Sequence, residues 1–306
     1  MKKIIPAISK ELLKQELTQD KFLRITNFGK NEIYVVTAHD SPNLMKEIGR
    51  LREIAFRAAG GGTGKEADID KYDTAEIPYK QLIVWNKEDE VIVGGYRFIF
   101  LKNFNNVKKE NLSLATKGLF EFSDKFMIDY FPYTLELGRS FIQPDFQASG
   151  GGSRKTLFAL DNLWDGLGAL VVQNPDVKYL FGKVTMYTHF DKFSRDLILY
   201  FLNKYFEDKD KMVYPVEPIS YHTDENILNQ IFTGKNYKED YKILSKKIRS
   251  RKENIPPLIN SYMNLSPTMK CFGTSVNNHF GGVEETGIMV TLNDIYETKK
   301  KRHLDY

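Results

Sequence analysis

LELGRSFIQPDFQASGGGSR, residues 135–154, combines three features in one order. An apolar strand carries Glu136 and Arg139, a turn begins at Pro144, and a glycine-rich segment then leads into an apolar helix predicted over 157–172. A glycine-rich loop between a strand and a helix N-terminus presents backbone N–H groups to an anion, and the helix dipole adds partial positive charge. The stretch therefore indicates an enzyme whose donor substrate carries a phosphate, with ionisable side chains beside it.

The composition is that of an ordinary globular protein, because 42% of the 306 residues are hydrophobic and 27% are charged. The formal net charge of +4 does not require a nucleic acid partner, and none is expected. A single cysteine, Cys271, cannot form an internal disulfide, which favours a reducing compartment. The first residues lack the apolar core of a signal peptide, and no apolar run is long enough to span a bilayer. We expect a cytoplasmic protein, with peripheral contact to an anionic inner membrane left open.

Hydrophobic spacing predicts a mixed α/β sheet rather than alternating βα units. Besides the strand that carries Glu136, strands are expected at 33–37, 81–85, 90–101, 179–186 and 287–292. Helices are expected at 7–20, from Ser41 to Gly60, and at 112–128, 157–172, 193–206, 223–232 and 237–248. The second and third strands read as a hairpin, since a polar turn separates them.

The spacing Gln147-x-x-Gly150-x-Gly152 is moderately specific, and alone it also fits a flexible surface turn. Its context resembles the pyrophosphate-binding motif of the GCN5-related N-acyltransferase (GNAT) superfamily. The positions that fit that motif are Ile142, Pro144, Phe146, Gln147, Gly150 and Gly152. The resemblance implies a fold of the α/β (α+β) class, with a mixed, mostly antiparallel, splayed sheet flanked by helices. It also implies a donor set that binds phosphopantetheine: Phe141, Ile142, Gln147, Gly150, Gly151 and Gly152.

Four more motifs follow one another: Leu51-Arg52-x-x-x-Phe56, Asp70-Lys71-Tyr72-Asp73, Gly94-Gly95-Tyr96-Arg97 and Glu136-x-x-Arg139. They resemble the signature shared by the acyl-homoserine-lactone synthases and the bacterial amino-acid N-acyltransferases of ornithine- and glycine-lipid synthesis, often called hemolysins. The stretch Ile255-Pro256-Pro257-Leu258 resembles the C-terminal part of the lipid branch, which we therefore favour. The resemblance implies a GNAT-like core over 1–206 and a C-terminal extension over 207–306 packed on it, or one continuous domain.

Glu136 and Arg139 lie three residues apart on one strand, so a regular pleat would point them to opposite faces. A bulge at Gly138 would bring both to one side and splay the sheet. One interpretation is a buried structural ion pair. The other is a catalytic pair, in which Glu136 acts as general base, directly or through a water, because amide formation needs a neutral amine.

The resemblance also implies an acceptor-binding set, Arg52, Phe56, Asp70, Asp73 and Arg97. Asp70 and Asp73 would join the arginines in a charged cluster, although both also fit ordinary turn residues. Arg52 and Phe56 share one helix face, as expected of a carboxylate anchor beside the wall of an acyl channel. A solvated helix arginine is the alternative interpretation of Arg52.

The expected reaction transfers a fatty acyl group, with a 3-hydroxyl group left open, from acyl carrier protein to the α-amine of glycine or ornithine. The product would be an N-acyl amino acid, an aminolipid precursor. The donor is a phosphopantetheine thioester on acyl carrier protein or coenzyme A, and no permanently bound cofactor is expected. No metal is expected either, because the five histidines show no paired ligand spacing.

Three alternative functions stay open. They are an N-acetyltransferase that uses acetyl-CoA, a homoserine-lactone-type signal synthase, and a non-enzymatic membrane-active protein. Two basic clusters, 246–252 and 299–302, fit either solvated surface or a docking surface for acidic acyl carrier protein or an anionic membrane. Residues 57–67 imitate a phosphate-binding P-loop, but Glu66 stands where that motif needs Ser or Thr. We expect that segment to form a mobile cover over the site instead.

Overall fold

The computed structural model describes residues 1–147 and 158–304. The helices are α1 (Lys10–Glu16), α2 (Pro42–Ala58), α3 (Ala159–Gln173), α4 (Lys192–Phe206), α5 (Glu225–Ile231), α6 (Tyr237–Ser250), α7 (Pro257–Met263) and α8 (Glu297–His303). The strands are β1 (Phe22–Ile25), β2 (Glu32–Val36), β3 (Lys80–Asn86), β4 (Val91–Phe100), β5 (Phe120–Phe122), β6 (Thr134–Ile142), β7 (Tyr179–Met186), β8 (Val213–Pro215), β9 (Lys270–Asn277) and β10 (Val283–Thr291).

One eight-stranded sheet organises the molecule, in the order β1-β2-β3-β4-β6-β7-β10-β9. Neighbouring strands in this sheet are antiparallel, except that β6 and β7 run parallel. Helices α3, α4, α6 and α7 contribute to the core on one face, and α1 and α2 contribute to the core on the other. The expected fold, a mostly antiparallel sheet flanked by helices, is confirmed.

The parallel strands β6 and β7 diverge after a short contact. Their register covers 134–137 against 179–182. β6 then forms a bulge opposite Tyr96 of β4, and Arg139 takes a left-handed backbone conformation with a φ of 49°. The bulge expected at Gly138 therefore lies one residue later. It bends β6 away from β7 and opens a gap in the sheet.

Two consecutive glycines let β4 pack closely between its neighbours at this bulge. A Cβ atom on Gly94 would lie 2.4 Å from the carbonyl oxygen of Phe141. A Cβ atom on Gly95 would lie 2.6 Å from the carbonyl oxygen of Leu82. Because both obstacles are backbone atoms, any larger residue would force the strands apart.

The segment 112–128, expected to be a helix, contains short turns and the strand β5, so that prediction was wrong. Phe120 and Phe122 are buried on either side of a half-buried residue, which is the period of a strand. Both rings belong to an aromatic cluster with Phe131 and Phe181. Burial of these large rings outweighs the helical spacing of the segment.

The strands β9 and β10 extend the same sheet beyond residue 206. β10 pairs with β7 along the whole length of β7, and β9 forms the outer edge. The chain on both sides of residue 206 therefore contributes to one sheet. Within residues 1–147 and 158–304, no helix is long and apolar enough to cross a membrane.

Candidate active site

A cavity of about 540 Å³ lies in the gap between β6 and β7. Leu160 and Leu258 line it from the face that carries α3 and α7, and Phe56 and Phe280 line it from the face that carries α2. The cavity therefore passes through the sheet, with lining residues from both of its faces. Its volume lies within the range, about 300–1,000 Å³, of pockets that hold drug-sized ligands.

Most of the residues predicted from the sequence line this cavity: Phe56, Arg97, Glu136, Arg139, Phe141, Ile142 and Gln147. Arg52, Asp70 and Asp73 are not part of the lining and lie behind it. Gly150, Gly151 and Gly152 lie outside the described residues. The structure thus brings together the predicted catalytic pair, part of the predicted donor set and part of the predicted acceptor set, and their individual roles stay predictions.

Glu136 is 1% exposed and lies where the parallel pairing of β6 ends. Its Oε1 accepts a 2.8 Å hydrogen bond from the Tyr79 hydroxyl, which accepts a 3.0 Å hydrogen bond from the N–H of Ala115. Its Oε2 has no hydrogen-bond partner among the described residues. Burial raises the pKa of Glu136. The hydrogen bond from Tyr79 and the charges of Lys183 and Arg97 act to lower the pKa, but they offset the effect of burial only in part. Such a carboxylate is suited to accept a proton.

Lys183 lines the cavity from β7. Its Nζ forms a 2.5 Å ion pair with Oε2 of Glu285 and donates a 3.3 Å hydrogen bond to the carbonyl oxygen of Ala115. Burial acts to raise the pKa of Glu285, but the charges of Lys183 and Arg139 outweigh it and hold the pKa below its ordinary value. The gap therefore holds two buried carboxylates whose pKa values are shifted in opposite directions, and Glu136 is the more basic of the two.

Arg97 and Arg139 are fixed beside the cavity by carboxylates. Nη1 of Arg97 lies 2.7 Å from Oδ2 of Asp70, and Nε of Arg139 lies 2.8 Å from Oδ2 of Asp68. The Arg139 guanidinium also lies 4.1 Å from the ring centroid of Phe280. Burial opposes the charge of Arg97, but the neighbouring carboxylates outweigh it and raise the pKa above its ordinary value. The Arg97 guanidinium therefore stays charged, and planar guanidinium groups bind carboxylates.

Arg52 and Asp73 form a fully buried layer behind these arginines. Nη1 of Arg52 lies 3.3 Å from Oδ1 of Asp73, and Nη2 donates to the side-chain oxygen of Gln81. Asp73 also lies 3.4 Å from Nη1 of Arg97. Burial acts to raise the pKa of Asp73, but the charges of the two arginines outweigh it and lower the pKa to about 2. Asp73 therefore links Arg52 to the cavity wall, and a direct contact between Arg52 and an acceptor stays a prediction.

Four charged or polar residues of this region escaped the sequence analysis: Asp68, Tyr79, Lys183 and Glu285. No short motif links them, because they come from separate strands and loops. The one available signal was Lys183, a cation inside the otherwise mostly apolar strand Tyr179–Met186. A charge at the centre of a buried strand needs a partner, and Glu285 provides it.

Glu53 of α2 holds the glycine-rich segment 60–64. Its carboxylate accepts hydrogen bonds from the N–H groups of Thr63 and Gly64, at 3.1 and 2.7 Å, and from the Thr63 hydroxyl at 2.8 Å. Arg57 donates a further bond of 2.7 Å to the same carboxylate. Two of the segment's N–H groups are therefore used internally rather than turned toward a phosphate. These hydrogen bonds fix the segment in place, which disfavours the expected role as a mobile cover.

Comparison with known proteins identifies a matching family and two similar proteins. The family described as an acetyltransferase (GNAT) domain matches residues 51–154. Glycine N(alpha)-acyltransferase of Phocaeicola vulgatus is 57% identical over 305 residues, which cover 100% of this chain and 93% of that protein. The protein of the same description from Bacteroides thetaiotaomicron is 55% identical over 304 residues, which cover 99% of this chain and 90% of that protein.

Among solved structures, FeeM, an N-acyl amino acid synthase from uncultured soil microbes, matches 86% of this chain and 93% of its own, at 8% identity and a TM-score of 0.42. A likeness of that size carries no conclusion about this protein. The two sequence relatives do, because their identity extends over nearly the whole chain. The chain therefore belongs to the GNAT superfamily of acyltransferases, in the branch of the amino-acid N-acyltransferases.

Proposed function

We propose that this acyltransferase moves a fatty acyl group from a phosphopantetheine thioester to the α-amine of glycine and so makes an N-acylglycine. The observation that carries the proposal is Glu136, a buried carboxylate that lines a cavity crossing the sheet and whose Oε2 has no hydrogen-bond partner in the described part of the chain. The names of the two relatives support glycine as the acceptor over ornithine, since both relatives are described as glycine N(alpha)-acyltransferases.

The proposed chemistry is direct aminolysis. The amine of glycine is protonated at neutral pH, so a base must remove a proton before the nitrogen lone pair can attack the thioester carbonyl carbon. Glu136 accepts that proton and the new C–N bond forms. The nitrogen then loses a second proton, which protonates the sulfur as the C–S bond breaks and the thiol leaves, and Glu136 passes the first proton to solvent. A thiol acyl-enzyme is not needed. Cys271 is not part of the cavity lining, and burial raises the pKa of its thiol to about 11.

The acceptor's carboxylate is proposed to bind at Arg97 and Arg139. Both side chains line the cavity, and both are already oriented by ion pairs with Asp70 and Asp68. Charged hydrogen bonds from a preoriented guanidinium fix a small anion in place. Glycine offers little besides its amine and carboxylate, so such anchoring is the means by which its nitrogen can be held near the base.

The donor is proposed to arrive on acyl carrier protein, an acidic partner. The basic segment 246–252 is exposed except at Ile248, and its charged members are Lys246, Lys247, Arg249, Arg251 and Lys252. The chain runs directly from this segment to 256–258, which lines the cavity. A carrier bound there would bring its thioester arm to the mouth of the gap, and complementary charge would speed the encounter.

Two other activities are distinguished from this one by substrate. An acetyltransferase, which the family description suggests, would use acetyl-CoA, but the cavity of about 540 Å³ has room for far more than a two-carbon acyl group. A homoserine-lactone-type synthase would release an acylated lactone rather than an N-acylglycine. Transfer to ornithine is a further alternative to compare with transfer to glycine.

Incubation of the purified protein with acyl-carrier, acyl-CoA and acetyl-CoA donors against glycine, ornithine and other amino acids tests the proposal by product mass. The expected product is N-acylglycine from the carrier-bound donor. Release of free thiol without an amide product, or transfer of acetyl groups alone, would contradict it. Glu136→Gln is the matched variant, and it should remain folded while transfer is lost.

A further inference from the structure

The proposed reaction moves two protons, and Glu136 accounts for only one of them. The α-ammonium group gives the first proton to Glu136, and the second must reach the sulfur as the C–S bond breaks. Oε2 is the oxygen of Glu136 that has no partner among the described residues, and it already holds the first proton at that moment. A second group in the gap that can lose and regain a proton would complete the transfer.

Few side chains of the cavity lining are suited to this task. In the described part of the chain, the cations of the lining are Arg97, Arg139 and Lys183. A guanidinium group does not lose a proton in proteins, whereas the ammonium group of a lysine serves as an acid in catalysis. The phenol of Tyr187 also lines the cavity, but burial raises its pKa to about 12, which makes it a weaker acid than an ordinary phenol. Lys183 is therefore the better proton donor.

Lys183 lies where the two parallel strands separate. The last pair of their register joins Leu137 to Gly182, and Lys183 is the next residue on β7. Glu136 pairs with Phe181, two residues before Lys183, so the side chains of Glu136 and Lys183 extend from the same face of the sheet. The carboxylate and the ammonium group are therefore carried by opposite walls of the gap, at the same end of it.

The backbone of Ala115 links the two groups. Its N–H donates to the Tyr79 hydroxyl that holds Glu136, and its carbonyl oxygen accepts a 3.3 Å hydrogen bond from Nζ of Lys183. Nζ also forms the 2.5 Å ion pair with Glu285, and the Lys183 side chain is 11% exposed. An ammonium group has three N–H bonds, and these two partners from the described residues use two of them. The third is left for an atom in the cavity.

We propose that Lys183 is the general acid of this reaction: its ammonium group gives a proton to the sulfur as the C–S bond breaks, and the resulting amine takes the second proton from the nitrogen. This inference rests on the proposed function, because it needs a thioester donor and an amine acceptor. Nitrogen and sulfur are bonded to the same carbon in the tetrahedral intermediate, so one Nζ can serve both. Lys183 ends the cycle as it began, charged and paired with Glu285, and the first proton leaves through Glu136.

An ion pair that only holds the fold is the alternative role for Lys183 and Glu285. In that role the charge of Lys183 matters and its proton does not. A general acid has a different signature, because the need for it depends on the leaving group. Selenium in place of sulfur makes the leaving group a much weaker base at nearly the same size, so a selenolate leaves without a proton.

Single-turnover transfer to glycine from two donors tests the inference. The donors carry the same 3-hydroxymyristoyl chain on pantetheine, as a thioester or as the selenoester, and N-acylglycine is measured by mass. Lys183→Arg keeps the charge but cannot give up a proton. It should lose about 10²-fold or more of the rate with the thioester and about threefold or less with the selenoester. Lys183→Met combined with Glu285→Gln removes the ion pair as a unit and should show the same selective loss.

A wild-type rate of Lys183→Arg with the thioester, or equal losses with the two donors in both variants, would overturn the inference. A selective loss in Tyr187→Phe instead would assign the acid to Tyr187 and would also overturn it. These outcomes leave the proposed function standing, because the wild-type protein still makes N-acylglycine. Absence of that product from either donor with the wild-type protein would overturn the proposed function, and the inference with it.

Lys178→Met is the matched control on the same side of the sheet. Nζ of Lys178 lies 4.1 Å from the ring centroid of Tyr133, and the residue does not line the cavity. The substitution removes an ammonium group next to β7 without touching the gap. It should leave the rates with both donors unchanged, and a selective loss with the thioester in this variant would refute the assignment to Lys183.

Discussion

The Tyr79 hydroxyl holds one carboxylate oxygen of Glu136 at 2.8 Å, and the other oxygen of that carboxylate has no hydrogen-bond partner among the described residues. Tyr79 is itself fixed by the N–H of Ala115. This arrangement separates two tasks: Oε1 sets the orientation of the side chain, and Oε2 is available to a ligand proton. The raised pKa of Glu136 makes that oxygen a stronger base than an ordinary carboxylate.

Glu136→Gln should abolish most of the transfer activity. Gln has nearly the same shape and cannot accept the amine proton, so kcat/KM should fall by roughly 10²–10⁴. Product formation measured by mass, over a range of glycine concentrations, checks this. If the variant raised KM and left kcat unchanged, Glu136 would act in binding rather than in proton transfer.

The same variant should raise the free energy of unfolding at neutral pH. Because the folded-state pKa of Glu136 is raised, the folded wild type binds more protons than the unfolded chain. Its stability is complete below the ordinary carboxyl pKa and declines as the pH rises through the raised value. Gln carries no charge, so the gain from Glu136→Gln should be present at neutral pH and shrink in acid. Denaturant titrations at several pH values measure this gain in the free energy of unfolding. A variant less stable than the wild type at neutral pH would contradict the raised pKa of Glu136.

Tyr79→Phe should shift the pH dependence of the reaction. Its hydroxyl favours the ionised form of Glu136, so removing it should raise the pKa of that carboxyl further. Activity needs the ionised form, and the acid limb of the profile of kcat/KM should therefore move to higher pH. The loss on the alkaline plateau should be about tenfold or less. A variant with reduced activity and an unmoved acid limb would make Tyr79 a packing residue only.

Asp73→Asn should destabilise the fold by about 3–5 kcal/mol at neutral pH, because it leaves the buried charge of Arg52 without its counterion. The depressed pKa of Asp73, about 2, means that its contribution is present above the ordinary carboxyl pKa and is lost as the pH falls through about 2. Asp176→Asn, at an exposed carboxylate, is the control and should change stability by less than about 0.5 kcal/mol. Equal effects of the two substitutions in chemical denaturation would refute the role given to Asp73.

Charge reversal in the basic segment 246–252 should affect one class of donor only. Lys246→Glu combined with Arg249→Glu should lower kcat/KM for the carrier-bound donor about tenfold or more at low salt, since steering by charge is lost. The same double variant should use the corresponding acyl-pantetheine as well as the wild type does. Added salt should reduce wild-type activity on the carrier-bound donor alone. A flat salt profile would count against the docking surface.

Sequence reasoning was strongest where function requires a local motif. The Glu136-x-x-Arg139 spacing indicated a bulge, and the structure has one at the adjacent position, with both side chains lining the cavity. The hairpin of β3 and β4, the strand β7 and the helix α4 also lie close to their expected ranges. Each of these has a strong local signal, either turn residues or a consistent hydrophobic period.

Sequence reasoning failed where the structure depends on distant partners. The 112–128 segment has helical spacing, but its aromatic rings are buried against β7 and β9, which local pattern cannot show. Tyr79 and Glu136 are brought together by the fold alone, across 57 positions. Burial of Arg52 has the same origin, because Asp73 and Gln81 reach it only in the folded chain.

The place of β10 beside β7 has a consequence for biosynthesis. One wall of the cavity consists of β7, and β7 pairs along its whole length with a strand that ends at Thr291. The ribosome must therefore have released the chain as far as residue 291 before β7 gains this partner. Until then the nascent chain exposes the apolar edge of an incomplete sheet, so folding should be slow and should depend on chaperones.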